Sequence, residues 1–269
     1  QYGINASNYN YLDHDWDSTN NKLNAHGTNV ASSAASAING NGGTVGIAPN
    51  AKILALKTDM NLSSINEAIK YATSCGVDVI NMSLGAYAQS FTDSYGNYHE
   101  GYASTSSYLS SAINSAYNAG IIVVAAAGNE NTSVSSYPAC NTHVIGVGAL
   151  ASGSYSKATF SNYNPTTSTS STANVNVDLT APGYVYQANE TASYNSGTIS
   201  NRTNGFVNTQ GTSFASPIVA GAACLWKQKN PSGTPSQFET ALYDACDHIS
   251  SSNWDTTYGH GALNLKKLL

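Results

Sequence analysis

One pattern recurs along this chain: an apolar strand-like run, then an amphipathic helix-like run that stops at glycine. Val77-Asp78-Val79-Ile80-Asn81 reads as a strand. Leu109, Ala112, Ile113 and Ala116 then recur at helical spacing, Gly120 supplies a left-handed stop, and Ile121-Ile122-Val123-Val124 resumes a strand. Upstream, Lys52-Ile53-Leu54-Ala55-Leu56 reads as a buried strand. Ser64-x-x-Glu67 reads as a capping box opening a helix with Ile65, Ala68, Ile69 and Ala72 on one face and Gly76 at its end. Two successive β-α-β units call for parallel strands joined by right-handed crossovers, which place all strand carboxyl ends on one edge. The predicted class is α/β, a mostly parallel sheet covered by helices, with ligands bound at that edge.

Later segments extend this plan. Thr142 to Leu150 contains another apolar run, Ser213 to Gln228 follows a helical pattern, and Thr234-Pro235 fits a cap and first position of a last helix. Residues 86–104 and 165–176 read as polar loops. No linker interrupts the 269 residues, so 1–269 reads as a single domain. Four cysteines, Cys75, Cys140, Cys224 and Cys246, lack metal-site spacing. Cys224 and Cys246 are the favoured pair if a disulfide forms, and buried free thiols are the equal alternative.

Composition removes other classes. Charged residues make up 9% of the chain and the net charge is -5, so the basic footprint of a nucleic-acid binder is missing. No 18-residue apolar run is present to span a membrane. Polar mass carried by Ser, Thr, Asn and Tyr points to a secreted, extracellular protein. Gln1-Tyr2-Gly3 opens without an initiator Met or an apolar leader and reads as a processed or trimmed product.

Three short segments carry chemistry: His26-Gly27-Thr28, Ala126-Ala127-Gly128-Asn129, and Gly211-Thr212-Ser213-Phe214-Ala215-Ser216-Pro217. Ser213 opens a helix behind Gly-Thr, which exposes its hydroxyl near the positive end of the dipole. Pro217 is expected in the first turn, where its missing donor costs little. Asn129 follows a strand end, where its amide can donate to a developing oxyanion. His26 is the natural base. Each residue alone has an ordinary reading as a cap, a turn or a structural histidine.

Taken together and in this order, they resemble the subtilisin-like serine proteases, the subtilase family. The resemblance runs from about residue 9 to the C-terminus. Val45-Gly46-Ile47-Ala48-Pro49, Tyr137-Pro138-Ala139, Phe160-Ser161-Asn162-Tyr163, Ala181-Pro182-Gly183 and Tyr258-Gly259-x-Gly261 are similar to further family landmarks. It implies a three-layer fold, and acyl transfer by His26 and Ser213 with Asn129 as oxyanion donor. Ser83, Leu84 and Gly85 are implied as the strand that pairs with an extended polypeptide substrate. Ala126, Ala127 and Gly128 are implied as the opposite wall. No cofactor is required. Calcium is admitted as a structural ion, since Asn39-Gly40-Asn41-Gly42 resembles a region that often helps to bind it, although the loop lacks carboxylates.

Two positions depart from the family pattern, Asn29 for a second histidine and Ser32 for a glycine. A larger departure is the strand that carries the catalytic aspartate upstream of the histidine, which this chain lacks before His26. Asp13, Asp15 and Asp17 sit in a polar segment that resembles the family's stretch between the two motifs. Loss of an interior strand would leave backbone groups unpaired, so something is expected to fill its place. An N-terminal fragment or prodomain bound non-covalently is the first expectation, and a trimmed longer chain the second. An acid-less pseudoprotease that binds peptides is the competing reading.

Overall fold

A computed structural model describes residues 4–5, 15–17, 22–38, 43–169, 174–195 and 198–269. Its centre is a four-stranded parallel sheet of β1 (Val79–Met82), β2 (Ile122–Ala126), β3 (Ile145–Leu150) and β4 (Leu179–Pro182), ordered β4-β3-β2-β1. Registers such as Val79 beside Ile122 and Ile145 beside Val124 are parallel throughout.

Alternation along β2 builds two cores at once, because successive side chains of a strand face opposite ways. Ile122 and Val124 enter one cluster with Ala215, Val219, Ala223 and Trp226 of α4 (Thr212–Lys229), and Phe238 and Leu242 of α5 (Pro235–Ala245). Val123 and Ala125 enter the other cluster. Their partners are Ile65, Ile69 and Ala72 of α2 (Leu62–Ser74), and Leu109, Ala112, Ile113 and Ala116 of α3 (Thr105–Asn118). The sheet is thus covered on both faces, the three-layer α/β arrangement expected from the sequence.

The second β-α-β unit forms as predicted. The first does not close onto the sheet among the described residues: only Lys52–Ile53 is strand, and it pairs antiparallel with Ile4–Asn5. Leu56 is 37% exposed, so Lys52–Leu56 is not the buried strand its apolar run suggested. An apolar run reports a preference for burial and cannot name the neighbour that provides it. The following helix also starts earlier than the Ser64 box implies. It spans Leu62–Ser74, and the Asn61 side chain caps it by accepting the Ser64 N–H at 2.8 Å while the Ser64 hydroxyl bonds Asp59. The Thr234 cap forms as read, as a reciprocal capping box with Gln237.

Loop 86–104 contains a small hairpin, Phe91–Thr92 against Tyr98–His99. A long antiparallel hairpin, β5 (Tyr184–Asn195) and β6 (Thr198–Gln210), leads from the end of β4 to the start of α4. Cys224 and Cys246 do not pair. All four cysteines are free thiols, and the Cys246 Sγ donates to the Leu242 carbonyl at 3.3 Å. Among the described residues no helix is long and apolar enough to cross a membrane.

Two carboxyl groups are enclosed beside α5. Burial, reinforced by the charge of Glu239, pushes Asp178 up to about 7, although its Oδ2 accepts the Gly146 N–H at 2.7 Å; burial likewise pushes Glu239 up to about 7. Between the ordinary value of 3.8 for Asp178 and about 7, the folded state holds protons that the unfolded state has released. Their contribution therefore falls as pH rises through that window. An Asp178→Asn variant, whose amide oxygen still accepts from Gly146, should gain thermal stability relative to the parent as pH is raised from 4 to 7, with no further change above pH 8. A melting-temperature difference independent of pH would contradict this assignment.

Candidate active site

The end of the β5–β6 hairpin delivers the chain to α4 through a backbone conformation reserved for glycine. Gly211 adopts φ 151° and ψ 156°, a region essentially closed to residues with a Cβ, and its N–H donates to the Gly183 carbonyl at 2.9 Å. Thr212 is then the first residue of α4 and Ser213 the second. This first turn lies at the carboxyl edge of the parallel sheet, beside the turn after β2, and the dipole there favours negative charge.

Asn129 is fixed to the same helix start. Its Oδ1 accepts the Thr212 N–H at 2.8 Å and the Thr212 hydroxyl at 3.0 Å, which leaves Nδ2 as the donating arm of the amide. The Thr212 hydroxyl also accepts the Gly128 N–H at 3.1 Å. Gly128 has φ 106°, and a Cβ there would lie 2.2 Å from the Asn162 Nδ2, so the turn after β2 needs its glycine. Asn162 holds that turn from the other side. Its Nδ2 donates to the Ala127 carbonyl, and its Oδ1 accepts the N–H groups of Glu130 and Thr132 at 3.0 and 3.1 Å.

His26 is the first residue of α1 (His26–Ala35), which packs against α4. Its ring lies 5.6 Å from that of Phe214, the residue after Ser213, at an interplanar angle of 49°. His26 and Ser213 are both half-buried and Asn129 is exposed. His26, Ser213 and Asn129 are thus carried by neighbouring segments at one edge of the sheet: the start of α1 against Phe214, the start of α4, and the turn after β2 that Asn129 ties to Thr212. Such a group can transfer a proton, attack a carbonyl and receive an oxyanion.

Ser83, Leu84 and Gly85 leave the carboxyl end of β1 beside this group, facing the Ala126–Gly128 segment that leaves β2. Tyr87 closes the space behind them. Its hydroxyl bonds the Glu130 carboxylate and accepts from the Asn162 Nδ2 at 2.9 Å. Pro217 corrects an expectation: counted from Thr212 it lies in the second turn of α4, so its missing N–H removes the helical donor for the Ser213 carbonyl. The Ser83 Oγ supplies a substitute, donating to that carbonyl at 2.7 Å and lying 3.0 Å from the Ser216 Oγ. A Ser83→Ala variant should lose about 1–3 kcal/mol of stability in urea titration, the cost of an unsatisfied buried acceptor. Labelling of Ser213 by a fluorophosphonate should also slow; unchanged stability and labelling would show that the carbonyl needs no partner.

Sequence reasoning missed four contributors. Thr212 lies inside the quoted Gly-Thr-Ser motif, and Asn162 inside the Phe-Ser-Asn-Tyr landmark, so a signal existed for both. Tyr87 and Glu130 are 43 residues apart, and nothing local announces their contact. Of the upstream acids, Asp15 and Asp17 fall in a short strand paired with Lys22–Asn24, while Asp13 and the Asn39–Gly42 loop lie outside the described residues. Among the described residues no three His, Cys, Asp or Glu side chains converge to hold a metal ion.

Comparison with known proteins agrees with this geometry. The subtilase family model, Peptidase_S8, matches residues 2–261. An alkaline protease of Alkalihalobacillus alcalophilus is 34% identical over 246 residues, covering 90% of this chain and 54% of its own length. Subtilisin BL of Lederbergia lenta is also 34% identical, covering 90% of this chain and 76% of its own length. The chain thus spans about half to three quarters of these relatives. Among solved structures, a protease of Pseudoalteromonas arctica superposes with a TM-score of 0.70 at 29% identity, covering 92% of this chain and 70% of the other. Fervidolysin of Fervidobacterium pennivorans, a keratinolytic enzyme related to subtilisin, gives a TM-score of 0.69 at 28% identity over 90% of this chain and 35% of its own. With the family model matched over residues 2–261 and relatives 34% identical over 90% of its length, the chain belongs to the subtilase family.

Proposed function

We propose that residues 1–269 form the catalytic domain of a secreted serine endopeptidase that hydrolyses polypeptides through an acyl-enzyme. The observation that carries this reading is the lock between Thr212 and Asn129, which sets an amide donor beside Ser213 while the His26 ring lies against Phe214. His26 takes the Ser213 proton as Oγ attacks the substrate carbonyl carbon. The Asn129 Nδ2 and the Ser213 N–H donate to the oxygen as it becomes negative. Collapse breaks the peptide C–N bond, with His26 returning the proton to the leaving amine. Water, activated by the same imidazole, then releases the acyl group. The substrate lies extended along Ser83, Leu84 and Gly85, with its side chain against Ala126, Ala127 and Gly128. This chemistry uses no cofactor; calcium enters only as a structural ion.

The carboxylate that orients the imidazole is proposed to sit on a separate extended segment paired with the outer edge of β1. Among the described residues β1 has a neighbour only in β2. The Asn81 Oδ1 on β1 is buried without a partner, and Leu56 is 37% exposed on the run expected to be covered. A strand laid there would supply donors to β1 and cover that surface.

Three measurements test the proposal. Fluorophosphonate labelling should map to Ser213. In Asn129→Ala the rate should fall by about 10²–10³, a magnitude carried over from the same donor in subtilisin rather than derived from this fold. Native and then denaturing mass spectrometry should release a second peptide that carries an aspartate. A single 28.0 kDa species that ignores the probe would overturn the endopeptidase reading and leave a peptide-binding relative.

A further inference from the structure

Both departures from the family pattern, Asn29 and Ser32, reach the same residue of the β5–β6 hairpin. The Asn29 Nδ2 donates to the Ala188 carbonyl at 2.7 Å, and the Ala188 N–H donates to the Ser32 Oγ at 3.0 Å. These side chains stand three residues apart, one turn of α1, and Asn29 lies three residues after His26. Each is enclosed, at 6% and 4% exposure, so their bonds are made away from competing water. Neighbouring contacts widen the attachment: the Gln187 Nε2 donates to the Ser33 Oγ, and the Thr209 hydroxyl donates to the Gln187 Oε1 at 2.9 Å.

Antiparallel pairing explains why Ala188 is available. Residues along a strand alternately direct both backbone polar groups toward one neighbour or the other. Ala188 sits opposite Phe206 on β6 and directs its N–H and carbonyl to α1. The histidine helix thus takes the place of a neighbouring strand at this point. It has no side-chain cap of its own: Ala25 precedes it and makes no capping bond. From Thr209 the chain reaches Gln210, Gly211, Thr212 and Ser213 without interruption, so the attachment links the base to the nucleophile through the hairpin.

We infer that Asn29 and Ser32 are positioning residues that fix α1, and with it His26, relative to Ser213 through the backbone of Ala188. The inference rests on the endopeptidase reading for its kinetic consequence, and on the hydrogen bonds alone for its structural one. Asn29→Asp keeps the shape and removes the N–H donor to Ala188, whereas Asn29→His restores a donor. With a tetrapeptide p-nitroanilide as probe, and rates expressed per folded molecule, Asn29→Asp and Ser32→Ala should each lower kcat by about 10–100-fold, the cost of misplacing a reacting group by a fraction of an ångström to an ångström. KM should stay within about twofold, and Asn29→His should recover most of the loss.

A second readout follows the imidazole directly. In nitrogen-15 spectra the His26 ring should show one set of tautomer signals in the parent and shifted or averaged signals in Asn29→Asp. If the parent neither hydrolyses the probe nor reacts with fluorophosphonate while its His26 signals change on substitution, the endopeptidase reading falls and the positioning role stands. If the parent is active, and Asn29→Asp matches it in kcat and in His26 signals, the positioning role is overturned.

Discussion

Thr212 joins the two halves of the site. Its N–H and hydroxyl hold the Asn129 amide oxygen, and the same hydroxyl takes the Gly128 N–H, so the turn after β2 and the first turn of α4 share one frame. Neither segment would keep its place unaided. The turn after β2 has a positive-φ glycine at its apex, and α4 starts from Gly211, whose conformation few residues adopt. Loops at the carboxyl edge of a parallel sheet are ordinarily the variable part of such folds. Here the buried Thr212 removes that freedom, holding the exposed Asn129 and the half-buried Gly128 at once.

The chain achieves this rigidity with few ions. Charged residues are 9% of the sequence, and enclosed asparagines take over much of the work of tying loops together. Asn162 secures the turn after β2. Asn164 exchanges hydrogen bonds with the Val177 carbonyl and N–H at 2.7 and 2.9 Å. Asn176 accepts from the Ser136 N–H and donates to the carbonyls of Val134 and Tyr163. An amide both donates and accepts, so one buried side chain can satisfy backbone groups of either kind without the desolvation cost of a charge. The carboxyls of Asp178 and Glu239 illustrate that cost, since enclosure raises both.

Much of this architecture was legible because local patterns and global fold agree. Helix periodicity at Leu109–Ala116, the apolar run Ile121–Val124 and the Thr234-Pro235 cap each specify an element without help from afar. Motifs pointed to the site residues, and the segments that carry them are neighbours: the His26 ring lies against Phe214 and the Asn129 amide holds Thr212, on either side of Ser213 in the sequence. What escaped reading depends on distant partners. Lys52–Leu56 shows an intrinsic preference without revealing its neighbour. Pro217 stands fifth even when counted from Ser213, already past one 3.6-residue turn, and the group that makes up for its missing donor, the Ser83 hydroxyl, lies 130 residues away in the sequence. In the sequence Asn29 and Ser32 are only departures from the family pattern; their shared partner, Ala188, lies some 160 residues later.

The thiols carry a last consequence of the layout. Enclosure pushes Cys140 and Cys246 up to about 12 and Cys224 up to about 11, so these three hold their protons and resist alkylation. Cys75 alone among the four is exposed. It follows helix 62–74 just ahead of β1, at the amino edge of the sheet, while Ser213 and Asn129 occupy the carboxyl edge. The fold thereby provides one accessible sulfur on the side away from the chemistry. A dye, a tether or a solid support attached there would leave the edge that carries Ser213 and Asn129 uncovered.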